Sequence, residues 1–323
     1  MERKMEKSVE YIEVVEKIIG QNISYLYRLP KVIKNIYHYT NLEGLNGIIS
    51  NDSFFFTNST SLNDRSEGKE IFDIIDDVLK NINISNLLDC ELKNLTWESL
   101  IHSSKLNFYV LSLCKDRDNL TMWNYYTKNN KSLGANLGLD LKELIEKFIY
   151  YLDDQIPVRS DNLKWWHTYG SVIYDDEEKY RIIKNIVEAT DAELKAGFKE
   201  EVLPIFLSIL RVLSIFFKNH YFEIENEFRF VIALSTEQLD SYIAKTSKAD
   251  EKILYKFRSS NGCIQPYLNV PLLKKWKYPH IKTLKEVILS PTFDEDSIYG
   301  VRELLDYNEY DMTEIKKSQI PLR

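Results

Sequence analysis

Glycine, proline and cysteine are all scarce in this chain of 323 residues, and each scarcity excludes a class of protein. Ten glycines and eight prolines are few for a loop-rich or disordered chain, so we expect long regular elements. The three cysteines are scattered and include no Cys-x-x-Cys pair, which argues against a disulfide framework or a cysteine zinc site. With 44% hydrophobic residues, the chain can bury a sizeable core.

The chain also lacks an excess of positive charge and a long apolar run. Its net charge of −7 disfavours bulk attraction to nucleic acid or to an anionic membrane, while a local basic groove stays compatible with it. Met1–Gly20 interleaves Glu and Lys with apolar residues, unlike a signal peptide. The most apolar run, Val202–Phe217, contains polar residues and is too short to span a bilayer. We therefore expect a cytoplasmic protein without membrane contact, in which this run is a buried helix.

The stretch Tyr221–Leu234 carries the densest pattern of charge. If it is a strand, alternation places two sets of side chains on opposite faces, Glu223, Glu225, Glu227 and Arg229 against Phe222, Ile224, Phe228 and Phe230. Carboxylates on one strand face repel one another, so such a face favours a positively charged ligand or transition state. The alternative is a solvated sheet face in which Arg229 pairs with Glu227.

The remaining patterns predict an α+β fold with a mixed or antiparallel sheet. Strands are expected at Ile36–Thr40, Phe54–Phe56, Leu106–Cys114, Leu133–Leu139, Lys164–Tyr174 and Leu284–Leu289, and Asn261-Gly262 predicts a hairpin. Two long helices, Glu177–Phe198 and Glu200–Asn219, form an insertion around residues 176–220 of a single domain, 36–323. Residues 1–35 form a helical extension whose helix, Val9–Gly20, could dock a partner protein.

Eight short motifs follow one another along the chain, each occurring once. They are Tyr37-His38-Tyr39-Thr40; Leu62-Asn63-Asp64 with Glu67; Leu111 to Cys114; Met122-Trp123 with Tyr126; Gly134 and Gly138; Lys218 with Glu225, Glu227 and Arg229; Val287-Ile288 with Pro291; and Ser318 with Ile320, Pro321 and Arg323. Together they resemble a bacterial family known as domain of unknown function 2971, over roughly Ile36 to Arg323.

A looser similarity links the same residues to ADP-ribosyltransferase-like proteins. These proteins carry a His on the first strand, an aromatic residue in the middle of the chain and a Glu on a late strand. The resemblance implies a sheet core of that type and NAD as substrate. It also implies transfer of ADP-ribose to protein, nucleic acid or water, in the toxin and phage-defence systems where small transferases of this kind occur.

Carried onto this chain, the resemblance assigns a role to each motif residue. His38 would hydrogen-bond a ribose of NAD beside Thr40, Tyr126 would stack on the nicotinamide, and Glu227 would bind the ribose 2′-hydroxyl. Glu225 would be the first carboxylate of a Glu-x-Glu pair, and Arg229 and Arg323 could bind the pyrophosphate. Supporting roles fall to Asn63, Asp64, Glu67, Trp123 and Lys218.

Two other functions fit the same residues. In a metal-dependent nuclease or hydrolase, the carboxylates of Asp64, Glu67, Glu225 and Glu227 would hold Mg²⁺ or Mn²⁺. In a non-catalytic sensor of a defence system, the charged strand would be a partner surface. The transferase prediction requires no metal.

Overall fold

The computed structural model describes residues 18, 33–62, 68–103, 106–127, 133–155, 165–197, 199–235, 254–260, 262–273, 283–293 and 295–321. The predicted N-terminal helix lies outside these residues except for Ile18. Within the described ranges, no helix has the length and apolar character needed to cross a membrane.

Helices and strands are mixed along the chain. The strands are β1 Asn35–Asn41, β2 Phe54–Asn58, β3 Leu106–Cys114, β4 Gly134–Asp140, β5 Trp165–Ser171, β6 Glu227–Ser235, β7 Leu254–Ser260, β8 Cys263–Val270, β9 Leu284–Leu289 and β10 Glu314–Lys317. The helices are α1 Leu42–Asn51, α2 Glu70–Asn81, α3 Asn86–Lys93, α4 Trp97–Ser103, α5 Leu120–Thr127, α6 Leu141–Gln155, α7 Asp176–Lys195, α8 Lys199–Phe216 and α9 Glu295–Tyr307.

The chain divides into two compact units. One includes Leu62–Leu106 and Thr168–Glu223, and the other comprises Pro30–Ser61, Asn107–His167 and Ile224–Arg323. The first is a helical unit in which α2 packs on α7, and α8 packs on α7, α4 and α2. The apolar run predicted as a buried helix lies largely in α8, whose side chains are mostly buried. A buried lysine of this unit, Lys179, is paired with Glu70 at 2.6 Å and Asp176 at 2.9 Å.

The ten strands form one mixed sheet, which confirms the predicted α+β class. Its order is β10-β9-β4-β1-β3-β2-β8-β7, and β6 pairs with β3 and β5. Strands β9 and β10 are parallel, whereas β1 is antiparallel to both β3 and β4. The predicted hairpin is present, because β7 and β8 pair from Leu254↔Asn269 to Ser260↔Cys263 and Gly262 adopts φ +76°.

Alternation along β1 assigns the two faces of the central sheet. Tyr37 and Tyr39 point to one face, where they pack with Met122 and Trp123 of α5. Thr40 points to the other face, against Gly44 of α1. The central strands are therefore covered on both faces, and polar groups on them must find partners inside the protein.

Candidate functional site

The site begins where β1 runs into α1. Asn41 caps the helix through its side-chain oxygen, which accepts a hydrogen bond of 2.8 Å from the amide of Gly44. A Cβ at Gly44 would lie 1.9 Å from the hydroxyl oxygen of Thr40, so only glycine lets the strand end and the helix start pack this closely. Thr40, which is 8% exposed, is enclosed at this junction.

One edge of β3 is shared by two strands. β1 pairs there at Tyr37↔Cys114, whereas β2 pairs through Thr57↔Val110 and Asn58↔Tyr109. Residues 111–113 lie between these two pairings, in an interval that we call the sheet split. Backbone groups in such an interval need partners other than a neighbouring strand.

His38 provides one of these partners. Its half-buried imidazole hydrogen-bonds the backbone of Ser112, and its ring meets Phe54 edge-on at 5.2 Å. Burial lowers the pKa of His38 to about 4, and the positive charge of Arg258 acts in the same direction. The imidazole is therefore neutral at pH 7, with one nitrogen able to donate and one able to accept a hydrogen bond.

Glu227 is the first residue of β6 and pairs with Arg229 two positions along the strand. Both guanidinium nitrogens that contact the carboxylate, Nε and one terminal nitrogen, lie 2.6 Å from Oε2 of Glu227. Glu227 is 7% exposed and Arg229 is 1% exposed. This is the pairing that the sequence left open as an alternative, and it encloses the guanidinium that was predicted to bind pyrophosphate.

The predicted strand starts too early. His220–Glu225 forms a 3₁₀ helix and Asn226 has a left-handed backbone with φ +45°, so β6 begins only at Glu227. Glu223 and Glu225 therefore do not continue the charged strand face with Glu227. The turn is held by Asn226, whose carbonyl accepts from the amide of Lys115 at 2.9 Å and whose side chain donates to Asp116 at 2.9 Å.

The bond between Lys115 and Asn226 places Glu227 beside the end of β3. Burial raises the pKa of the Cys114 thiol to about 12, and the charges of Asp116 and Glu227 act in the same direction. Cys114 belongs to the cluster that contains Tyr39 and Trp123. Glu227 thus lies near that cluster, whereas the contacts of His38 are with Ser112, Phe54 and the charge of Arg258.

The two candidate aromatic residues of helix α5 differ in their exposure to solvent. Trp123 is 2% exposed, meets Tyr39 edge-on at 4.9 Å and donates its indole N–H to Asp118 at 2.7 Å. It is a core residue whose polar atom is satisfied within the protein. Tyr126, near the end of the helix, is 45% exposed.

The remaining predicted residues belong to the other unit or lie outside the described part of the chain. Lys218 belongs to the helical unit, where its ammonium lies 5.0 Å from the ring centroid of Phe222. Four predicted residues lie outside the described part of the chain, namely Asn63, Asp64, Glu67 and Arg323. Among the described residues, no group of three or more His, Cys, Asp or Glu side chains is placed to hold a metal ion.

A polar network that was not predicted from the sequence lies in the loop between β3 and α5. The carboxylate of Asp118 accepts hydrogen bonds from the Trp123 indole (2.7 Å), the Ser318 hydroxyl (2.7 Å) and the Gln319 amide (2.9 Å). We call this group the Asp118 hub. Beside it, Asn119 caps α5 by accepting from the amides of residues 121 and 122. Only this cap could be read locally, from an Asn just before a helical segment.

A second missed network links β9 and β10 with the loop between β3 and α5. Buried Glu286 binds Arg117 through two bonds of 2.8 and 2.9 Å and accepts from Lys316 at 3.0 Å. Gly138 makes room for it, because a Cβ there would lie 2.7 Å from Cγ of Glu286 and 3.2 Å from the Tyr37 ring. The close approach explains why the second glycine of the Gly134 and Gly138 motif lacks a side chain.

The third missed feature is Arg258 on β7. Its guanidinium donates to the Thr57 hydroxyl at 2.9 Å and to the side-chain oxygen of Gln265 at 3.3 Å. Its central carbon lies 5.8 Å from the ring centroid of Phe55 and 5.9 Å from that of Tyr267. We call these five residues the Arg258 platform. No local signal marks it, because Thr57 and Arg258 are 201 positions apart.

Comparison with known proteins identifies part of the chain. No curated protein and no solved structure matches it. The segment that does match a known family contains α5 with Trp123 and Tyr126 at one end and Glu227 with Arg229 at the other. Residues 122–230 match the family described as Protein of unknown function (DUF2971), which is the family that the motifs resemble.

Proposed function

We propose that the chain consumes NAD by cleaving the bond between nicotinamide and ribose, as an ADP-ribosyltransferase-like enzyme. The observation that carries the proposal is the arrangement around β3. His38 follows the residue paired with Cys114 on one side, and Glu227 follows the residue bonded to Lys115 on the other. Glu227 lies on the sheet face of Cys114 and Tyr39, whereas alternation along β1 turns His38 to the opposite face, so a nicotinamide riboside that contacts both would have to pass through the sheet split.

Glu227 would stabilise the reacting sugar. Loss of nicotinamide develops positive charge on the ribose, as in glycoside hydrolysis, and a fixed carboxylate lowers the energy of that transition state. The contacts with Arg229 keep the carboxylate charged and in one orientation, because charge-assisted bonds of 2.6 Å are strong and directional.

His38 and Tyr126 would bind the substrate rather than take part in the bond cleavage. The neutral imidazole of His38 can hydrogen-bond a ribose hydroxyl without opposing the positive charge that develops on the sugar. The exposed ring of Tyr126 can stack on a flat base. The acceptor of the ADP-ribosyl group, whether protein, nucleic acid or water, is left open by this proposal.

The displacement of Glu225 from the strand changes the expected roles of the two carboxylates. With Glu225 at the end of a 3₁₀ helix and Glu227 on β6, the pair does not share a strand face. We therefore assign the charge-stabilising role to Glu227 alone. Glu225 supplies a matched control, since Glu225→Gln removes the same charge two positions away.

The test is nicotinamide release from NAD by the purified protein with a chelator present. Glu227→Gln should lower turnover by about 10²–10³-fold, whereas Glu225→Gln should lower it less than tenfold. Equal rates for wild type and Glu227→Gln would end the proposal. Thermal unfolding of both variants would show that a lost rate does not reflect a lost fold.

A non-catalytic module that binds a partner is the second candidate, because the Glu227 to Arg229 pair can have a purely structural role. A carboxylate enclosed with its own arginine is also the arrangement of a structural ion pair. Absence of nicotinamide release from wild type, together with no NAD binding by calorimetry, would support the module.

A further inference from the structure

Arg258 is a cation without a carboxylate. Among the described residues, its hydrogen bonds go to two neutral side chains, Thr57 and Gln265, and no acidic group pairs with it. It is half-buried, and burial lowers the pKa of its guanidinium. Enclosing a charge without an opposite charge costs stability, so binding of an anion beside Arg258 would be favourable.

The guanidinium is held in place before any ligand binds. Thr57 and Gln265 are 8% and 6% exposed, and Gln265 is itself fixed by a bond of 2.9 Å from its amide to the carbonyl of Ser61. These bonds engage two of the five N–H groups of the guanidinium. The others remain for the fork geometry that binds phosphate oxygens in pairs.

The platform also has an open aromatic side. Phe55 is 38% exposed and its ring lies 4.3 Å from that of Tyr267, between centroids. Both rings lie near the guanidinium, and their cation–π attraction orients the guanidinium. A ligand that joins an anionic group to a flat base would contact both the charge and an accessible ring.

Arg258 lies close enough to the sheet split to act electrostatically on His38. It is one of the causes that lower the pKa of His38, so the two side chains lie within electrostatic range of each other. β2, which carries Thr57 and Phe55, pairs with β3 immediately beside the split. Alternation along β2 points Phe55 and Thr57 to the face opposite that of Phe54, the neighbour of His38, so the platform and His38 border the split from opposite faces of the sheet.

We propose that the Arg258 platform binds the pyrophosphate of the dinucleotide that occupies the sheet split. This inference rests on the proposed NAD chemistry for the identity of the ligand, while the anion site itself rests on Arg258 and its neutral partners. Arg258 takes the role predicted for Arg229, whose guanidinium is enclosed with Glu227.

The test is calorimetric titration with ADP-ribose and with inorganic pyrophosphate. Arg258→Gln should weaken both affinities about 10- to 100-fold, because a charged, two-pronged contact is lost. Arg258→Lys, which keeps the charge but loses the fork, should fall between Arg258→Gln and wild type. Lys256→Gln is the matched control, since Lys256 is an exposed cation two positions away on the same strand face, and it should change affinity less than twofold.

The outcomes separate this inference from the proposed function. Equal losses in Lys256→Gln and Arg258→Gln would mean diffuse attraction and would overturn the site, as would no binding of either ligand by wild type. Nicotinamide release with an unchanged KM in Arg258→Gln would leave the proposed function standing and reject the platform. Pyrophosphate binding that depends on Arg258, without nicotinamide release by wild type, would support the platform and reject NAD cleavage. Unfolding curves show whether Arg258→Gln is misfolded. If it is, the affinities of Arg258→Lys for the two ligands decide whether the platform binds them.

Discussion

The Asp118 hub and the Arg258 platform are two polar clusters in the same unit, and they differ in how their charges are satisfied. Asp118 accepts three hydrogen bonds from within the chain, one of them from the buried Trp123. Arg258 bonds only to neutral groups among the described residues and lies beside an exposed ring. A satisfied cluster stabilises the fold, whereas a cluster with spare donors is equipped to bind something else.

The difference predicts opposite responses to mutation. Removing a charge from the hub should unfold the protein more easily and leave buried donors without partners. Removing the charge from the platform should weaken ligand binding and leave stability nearly unchanged. The following predictions test this difference, in order of decreasing effect on the free energy of unfolding.

Asp118→Ala should have the largest effect, a loss of about 3–5 kcal/mol in the free energy of unfolding, because it removes three charge-assisted hydrogen bonds at once. Asp118→Asn retains one oxygen acceptor and should lose about 1–2 kcal/mol. Urea denaturation followed by tryptophan fluorescence measures both. A loss below 1 kcal/mol for Asp118→Ala would show that the hub does not stabilise the fold.

Gly44→Ala tests whether Thr40 belongs to the packed part of the molecule or to the ligand site. The new Cβ would collide with the enclosed hydroxyl of Thr40, so we expect a loss of about 1–3 kcal/mol. Gly47→Ala in the same helix meets nothing within 4 Å and should instead stabilise by about 0.5–1 kcal/mol. Thermal unfolding of the two variants should therefore shift in opposite directions. Matching shifts would contradict the tight junction.

Glu286→Gln should cost about 1–2 kcal/mol at pH 7, less than a fully buried pair, because Arg117 and Lys316 are partly exposed. Burial by itself raises the pKa of Glu286, but hydrogen bonds from both cations bring it below its usual value. The carboxylate therefore contributes stability above its unfolded pKa, about 4.3, and loses it as pH falls through the lowered folded pKa.

The difference between wild type and Glu286→Gln should accordingly shrink as the pH is lowered from 7 to 3. Urea denaturation at several pH values measures it. A difference that stays constant over this range would show that the ion pairs at Glu286 contribute nothing to stability.

Arg258→Gln should have the smallest effect on stability, within about 1 kcal/mol of wild type and in the stabilising direction, because it removes a half-buried charge that no described acidic residue pairs with. Denaturant unfolding without ligand measures this. A loss comparable to that of Asp118→Ala would place Arg258 among the structural residues and remove the contrast between the two clusters.

Local patterns predicted much of the fold. The hairpin around Gly262, the apolar helix α8 and the central strands depend on neighbours in sequence and were found as predicted. The start of β6 was wrong for a definable reason. Alternation of side chains continues through Tyr221–Asn226, but the backbone there is held in a turn by Lys115 and Asp116, which no local pattern could reveal.

The site was predicted less well than the fold because its contacts are distant in sequence. The pairing of Glu227 with Arg229 spans two positions and was held open as an alternative. The partners of Arg258, by contrast, come from β2 and β8, and the sheet split depends on how β3 is shared by β1 and β2. A single sequence does not show the order of strands in a sheet. It also does not show that the described partners of Arg258 are neutral side chains.

The contacts of Asp118 with Ser318 and Gln319 also determine when this part of the fold can form during synthesis of the chain. They join residues 200 and 201 positions apart, so the loop that holds Trp123 cannot be completed until the far end of the chain has been made. At ordinary rates of translation, this delay is about 10–40 seconds. During that interval Ile320, which packs against the cluster of Tyr39 and Trp123, is also absent, so this cluster stays incomplete until the last part of the chain is made.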